Sequence, residues 1–239
     1  MNEQYPGITG NRLLDLLPQK EFSRHLLPYL EAVSVSQGEV IYEARQAVDY
    51  AWFPVTALLS LVMISQSGDL VEAGVCGNEA MCGVSILFGP SIAPYQVEVQ
   101  IAGTAFRCRA EALTDLCEKS PVLQNHLLRY AYTGMMQLAQ TVICNRFHSV
   151  RQRLSRWLLT AHDRVPTDQI PLTREILAEM IGARRPRVSM IVSSLQEAGL
   201  ISAGRGTIRI IDRAGLEEAS CECYQVIRNE MDSFLSQEG

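Results

Sequence analysis

Thr173-Arg-Glu-Ile-Leu-Ala-Glu-Met-Ile-Gly182, continued by Ala183-Arg-Arg-Pro-Arg-Val-Ser-Met-Ile-Val-Ser-Ser-Leu-Gln-Glu-Ala-Gly199 and by Leu200-Ile-Ser-Ala-Gly-Arg-Gly-Thr-Ile-Arg-Ile-Ile-Asp212, is the stretch whose reading decides the fold. The Thr173 hydroxyl suits acceptance of a backbone N–H bond from the following turn, and Ile176, Leu177, Met180 and Ile181 recur as one apolar helical face. Gly182 supplies the left-handed backbone that stops a helix and reverses the chain. A second helix must start almost at once. Pro186 fits its first turn, where a missing N–H costs nothing, and Val188, Ile191, Val192, Leu195 and Ala198 form an inward stripe. Gly199 ends it, and the alternating Thr207-Ile-Arg-Ile210 after Gly204-Arg205-Gly206 reads as a β-hairpin with a cation at its tip. Helix, tight turn, helix and hairpin in that order make a winged helix-turn-helix.

The exposed start of the second helix carries Arg184, Arg185, Arg187 and Ser189. Guanidinium groups there suit a DNA major groove, because they pair bidentately with guanine O6 and N7 or anchor phosphate oxygens. Arg185 is the foremost base-reading candidate. A basic helix face alone reads as solvated surface, but the surrounding element order favours DNA. The charge distribution agrees. The whole chain has a net charge of -5, yet residues 145–213 hold 12 arginines against 6 acidic residues, a net of +6, whereas residues 1–144 carry -6 and the tail from 214 carries -5. The positive field therefore sits on the segment that phosphate attraction requires.

Working outward, 239 residues suffice for two modest domains. Residues 11–30 read as short helices interrupted by Pro18 and Pro28. From Glu31 to Arg109 short alternating or β-branched runs, punctuated by Gly38, Gly68 and Gly103, predict a small antiparallel barrel or jelly roll, with eight strands a plausible number. A short helix follows to Lys119, then a long one from Pro121 to about Arg146. Leu123, Leu127, Tyr130, Gly134, Gln137, Leu138 and Thr141 lie along one seam of it, which predicts a homodimer helix pair. The competing reading packs this helix on its own barrel, and Met135, Met136, Val142 and Ile143 would serve that second contact. The pattern breaks at 145–148, the expected hinge. Another helix runs through Trp157 to about Arg164, and Pro166–Pro171 links it to the helix-turn-helix. The expected fold class is α+β: a jelly-roll domain at 1–119, a dimerisation helix and hinge at 120–147, and a winged domain with a helical tail at 148–239.

Seven cysteines form neither an even disulfide framework nor a paired C-x-x-C zinc pattern, so most read as small buried hydrophobes. Cys221-x-Cys223 admits a redox or metal pair, but the one-residue spacing is uncommon for ligands. No metal site and no cofactor are expected. Cys144, beside the hinge, leaves thiol oxidation open as a sensing route. His25, His126, His148 and His162 read as lone histidines with ordinary hydrogen bonds. No secretory leader is read, and the apolar run from Ala51 to Ile64 is broken by Pro54 and too short for a bilayer, so a cytoplasmic location without membrane contact is expected.

Jelly roll, long helix and winged helix in this order, together with Ile170-Pro-Leu-Thr-Arg-Glu-Ile-Leu-Ala-Glu-Met-Ile-Gly182, Val188-Ser189 and Leu195-Gln-Glu-Ala-Gly-Leu-Ile-Ser202, resemble the Crp/Fnr family of bacterial transcription regulators over nearly the whole chain. The resemblance implies a cyclic-nucleotide-binding-like sensory roll. It also implies a homodimer on a two-fold symmetric operator in double-stranded DNA and contact with RNA polymerase. Thr173 and Arg174 would then touch phosphate and Arg185 would read guanine, with Arg184, Arg187, Ser189 and the wing residue Arg205 beside them. Where family members commonly place a glutamate after the reading arginine and a further arginine four positions on, this chain has Pro186 and Met190, so the usual operator does not carry over. The cyclic-AMP signature is also missing. Gly83-Val-Ser-Ile-Leu-Phe88 and Pro94-Tyr95 stand where the ribose-binding glutamate and phosphate-binding arginine belong, and an unpaired buried phosphate is costly. Cyclic AMP binding in the usual mode is not expected. The roll is then expected either to sense an unidentified signal, a small-molecule effector among the options, or to fix the dimer in an active state, and its ligand-binding residues are unknown. The first cysteine is Cys76, which argues against an iron-sulfur sensor with clustered N-terminal ligands.

Two other classes compete. A cupin-like enzyme needs clustered histidine and carboxylate ligands, and residues 31–109 contain no histidine, so no enzyme is expected. A cyclic-nucleotide-regulated interaction module without DNA binding would keep the phosphate-binding arginine and would not need Arg184, Arg185 and Arg187.

Overall fold

The computed structural model describes residues 9–165 and 167–236. Pro166 and the outermost residues of the expected domain ranges, 1–8 and 237–239, lie outside the described residues. Helix α1 (Arg12–Asp15) is capped by Asn11, whose Oδ1 accepts from the Leu14 N–H. The Asn11 amide also donates to Pro54 O at 2.7 Å and Ala80 O at 3.0 Å, which fixes the opening segment to the roll. Helix α2 (Gln19–Glu21), a π turn (Phe22–Leu26) and a 3-10 turn (Leu27–Tyr29) follow, kept short by Pro18 and Pro28.

The roll contains β1 (Glu31–Val35), β2 (Val40–Tyr42), β3 (Tyr50–Pro54), β4 (Leu58–Ile64), β5 (Leu70–Cys76), β6 (Gln96–Ile101) and β7 (Gly103–Arg109). One antiparallel sheet has the order β1-β7-β3 and the other β2-β6-β4-β5. Its described strands number seven rather than the eight envisaged, and isolated bridges at Ala47–Ile92 and Trp52–Cys82 help to close the frame. Strand β3 was hidden by Pro54, which the fold tolerates because it is the last residue of the strand.

Helix α3 (Ala110–Lys119) leads to α4 (Pro121–Phe147), started by the Ser120 cap and Pro121 at its first turn. It continues through the expected break at residue 145 and stops at His148. Ser149 then caps α5 (Val150–His162) with a reciprocal Gln152 bond, so only two residues separate the helices. The C-terminal part contains β8 (Gln169–Ile170), α6 (Arg174–Ile181), α7 (Arg185–Glu197), β9 (Ile201–Gly204), β10 (Thr207–Ile210), α8 (Arg213–Glu218) and α9 (Cys223–Leu235), with sheet order β8-β10-β9.

Phe53, Leu59, Val97, Val99, Leu113 and Leu127 belong to the core of the roll. A second core crosses the boundary between the two parts of the chain. Leu58, Val62, Val75 and Ile101 pack with Trp157, Leu158, Leu177, Ile181 and Val192, so the winged part rests directly on the four-stranded sheet. Helix α9 returns to the first core, where Phe234 lies 6.1 Å from the Tyr130 ring centroid.

Two buried polar contacts seal this junction. Trp157 Nε1 and Ser60 Oγ donate to the Glu72 carboxylate at 2.8 and 2.6 Å. Arg164 Nε meets Glu79 Oε1 at 2.5 Å, with both side chains less than 10% exposed. Gly77 permits that pair, since a Cβ there would stand 2.7 Å from the Arg164 side chain. Burial raises the Glu72 pKa from 4.5 to about 7 despite its two donors and the nearby Arg156 and Arg164. The folded chain thus holds this proton more tightly than the unfolded chain. The resulting cost is absent below pH 4.5, grows as pH rises through 7, and reaches on the order of 3 kcal/mol. We expect Glu72→Gln to flatten the loss of thermal stability between pH 5 and pH 8. Parallel stability profiles for both proteins would contradict this assignment.

The structure reverses the two faces of α4. Leu123, Leu127 and Tyr130 are buried in the chain's own core, and Thr141 is buried as well. Tyr130 Oη donates to Met81 O at 3.0 Å, Gln137 Nε2 reaches Val75 O at 3.4 Å, and Leu138 packs on the same core. Gly134 is half-buried and faces open space. The expected seam is therefore the intrachain face. Met135, Val142 and Ile143, read as barrel contacts, are exposed. The physical reason is that both sides of α4 are rich in apolar residues, and the side with Tyr130 has polar anchors on the roll.

Candidate nucleic-acid interface

Thr173 caps α6 by accepting from the Ile176 N–H at 3.2 Å, and Gly182 adopts φ 60° at its end. Helix α7 then begins without a side-chain hydrogen bond from Arg184, its N-cap. Its first N–H groups and the positive end of the helix dipole favour an anion at this end. Arg184, Arg185, Pro186 and Arg187 are exposed together, while Val188, Val192 and Leu195 point inward. Ser189 is half-buried, and Met190 is 66% exposed. Ala198, expected inward, is instead exposed at the C-cap.

Arg185 Nη2 lies 2.6 Å from Glu175 Oε1 in α6, and both side chains are more than half exposed. Such an ion pair adds little stability, but it holds the guanidinium on the outer side of the helix pair. Sequence reading missed Glu175 because its position in the first turn of α6 also fits an ordinary dipole-compensating acid. Thr173 and Arg174 are exposed at the same N-terminal end of α6 as Glu175, and Arg205 is exposed between Gly204 and Gly206 at the wing tip. Arg151 Nη1 donates to Ser194 Oγ at 2.8 Å, and Arg153 Nη1 donates to Ile181 O at 2.9 Å and Asn145 Oδ1 at 3.2 Å. These contacts connect the helix pair to α5 and the end of α4.

In the roll, Val84–Phe88 forms a 3-10 turn with Ile86 buried, and no charged residue occurs between Gly83 and Tyr95. All seven cysteines are buried, as the sequence predicts for most of them, but they do not share one core. Cys144, Cys221 and Cys223 form their own buried cluster, and His148 is not a lone residue, because its Nδ1 lies 3.4 Å from Cys223 Sγ. Sequence inspection missed this grouping because a separation of 75 residues hides the contact between His148 and Cys223.

Residues 152–219 match the family described as a Crp-like helix-turn-helix domain. The chain is 27% identical over 195 residues to transcriptional regulator SdrP of Thermus thermophilus, covering 79% of this chain and 93% of that protein. The fold is similar to FixK2 from Bradyrhizobium japonicum, with a TM-score of 0.70 at 15% identity over 80% of this chain and 98% of that one. It is also similar to TTHA1359, a CRP/FNR-family transcriptional regulator from Thermus thermophilus, with a TM-score of 0.63 at 20% identity over 80% and 98% of the two chains. The fold and the basic helix pair define a DNA-binding transcription regulator with a winged helix-turn-helix. Residues 152–219 belong to the Crp-like helix-turn-helix family, and with the antiparallel roll in front of them the chain shares its fold with TTHA1359 and FixK2 over about 80% of its length. Among the described residues, no helix is long and apolar enough to cross a membrane.

Proposed function

We propose that the chain acts in the cytoplasm as a homodimer and reads a two-fold symmetric operator through α7. Arg185 reads a base in the major groove. Arg184 and Arg187 contact neighbouring phosphates or bases, Thr173 and Arg174 anchor the flanking backbone, Ser189 contacts a base edge, and Arg205 follows the phosphates from the wing. The single observation that carries this reading is the exposed arginine group at the open N-terminus of α7. The pair of reading helices then spans about 34 Å, one duplex turn. Bound at a promoter, the dimer recruits or blocks RNA polymerase in response to an unidentified small molecule held by the roll.

The dimer face consists of Tyr132, Met135, Val142, Ile143 and Phe147, exposed by 45–73% along one side of α4. Their spacing by three, four and seven residues matches a helix-pair stripe, with exposed Ala139 allowing close approach at its centre. The uncharged segment from Gly83 to Tyr95 supports an effector other than cyclic AMP bound in the usual mode.

Fragments selected from the organism's DNA and retested by electrophoretic shift provide the functional test. Arg185→Ala should weaken the selected site by roughly 1–3 kcal/mol and relax preference at one base pair. Equal weakening on all sequences would move Arg185 to phosphate contact. No shift by the native chain at low salt would remove the operator reading.

A further inference from the structure

We propose that Cys144, His148, Cys221 and Cys223 bind one tetrahedral divalent metal ion of the zinc class, clamping the end of α4 and the hinge to the start of α9. The four candidate donor atoms all lie within 4.8 Å of one another. Cys144 Sγ is 3.6 Å from Cys221 Sγ, and Cys223 Sγ is 3.4 Å from His148 Nδ1. Metal bonds of about 2.3 Å to sulfur and 2.0–2.1 Å to nitrogen give tetrahedral edges of about 3.8 Å between sulfurs and 3.5 Å between sulfur and nitrogen. Two measured edges therefore already have the required size. The longest remaining edge needs to shorten by at most about 1.3 Å, within reach of side-chain rotation.

The surroundings support ligation independently. His148 Nε2 lies 3.1 Å from Glu222 Oε1. That carboxylate favours the tautomer with a proton on Nε2 and an open lone pair on Nδ1 facing the sulfurs, as in carboxylate–histidine–metal arrangements. Glu222 is the residue between the two C-terminal cysteines, so one short loop supplies two ligands and their outer carboxylate. Gln140 Nε2 also donates toward Cys223 Sγ at 3.1 Å. A Cys3His site with three thiolates, neutral histidine and a divalent ion has a net charge of -1, and the buried Arg156 guanidinium beside Cys144 offsets it.

The alternative role of buried cysteine is apolar filling. Cys76, Cys82, Cys108 and Cys117 fit that role, because they lie within the large core of the roll. Cys144, Cys221 and Cys223 instead form a separate cluster, with His148 and Gln140 against the sulfurs. The site joins elements whose relative position matters: α4 bears the proposed dimer face, α5 leaves across His148–Ser149 toward the reading helix, and α9 returns to the first core.

The test uses the full chain, purified with reductant and no chelator, for metal analysis and Co2+ titration. We expect one metal ion per chain and the visible bands of tetrahedral, thiolate-bound cobalt, displaced by Zn2+. Cys223→Ser should remove or strongly alter those bands, whereas Cys117→Ser should leave them unchanged. Glu222→Gln retains all four ligands and should weaken cobalt binding by 10–100-fold, which keeps the test intact if a cysteine variant fails to fold. Absence of tetrahedral cobalt bands in the fully reduced native chain would overturn the proposal. So would native-like bands in Cys223→Ser, or a Cys144–Cys221 disulfide that persists in reductant and excludes cobalt.

Discussion

Glu79→Ala is expected to lower the unfolding free energy by about 3–5 kcal/mol, because it leaves the buried Arg164 guanidinium without its carboxylate. Arg164 also donates from Nη1 to Thr160 O at 2.9 Å, so the arginine cannot leave the junction without abandoning a second bond. Glu79→Gln should cost less, since its side-chain oxygen preserves an acceptor. Replacing both partners with apolar residues of similar volume should recover much of the loss, because neither retains an uncompensated charge. Urea denaturation of the three variants tests the ordering. A shift below about 1 kcal/mol for Glu79→Ala would mean that Arg164 finds water or another acid when its partner is removed. The roll and winged part share a core, so the loss should appear in both when separate probes are used.

Met135→Asp and Val142→Asp should each raise the dimer dissociation constant by at least roughly 100-fold. Met135 and Val142 are exposed by 59% and 70% in the single chain, so the substitutions leave its core intact and act only where a second α4 covers them in the proposed dimer. A carboxylate placed between two apolar helices loses hydration without acquiring a partner. Sedimentation equilibrium should find monomers at concentrations where the native chain is dimeric, and operator affinity should fall with the loss of paired reading helices. An unchanged association constant in both variants would place the subunit contact elsewhere. Leu127→Ala is a useful contrast: it empties a buried position of the roll core, so its principal effect should be on stability.

These predictions divide between what the sequence made legible and what only packing revealed. The helix-turn-helix was legible because its constraints are local: Thr173 caps a helix, Gly182 takes a positive φ, and Pro186 starts the next helix. The roll was legible from alternation and turn residues, although β3 was obscured by terminal Pro54. For α4, periodicity found a seam but not its partner, because Leu127 and Ile143 satisfy the same apolar rule on roughly opposite sides. Choosing between them required the nonlocal bond from Tyr130 to Met81. The cysteine cluster was invisible for a related reason. A metal-like set split between a helix end and a distant C-terminal loop has no compact spacing to find, and the short Cys221-x-Cys223 pair argued against it. Glu175 and its ion pair with Arg185 likewise depended on the crossing of α6 and α7.

If the roll holds an effector as proposed, the core shared across Leu58, Val62, Val75 and Ile101 also sets how sensitive the chain is to it. Swinging the reading helix away from the roll hydrates side chains whose burial is worth roughly 1.5–3 kcal/mol each. A ligand that merely fits the roll, equally well in both arrangements, leaves their ratio unchanged. Responsiveness therefore depends on a molecule's preference for one arrangement, with the breadth of that apolar contact acting as a noise threshold against weak or nonspecific metabolites.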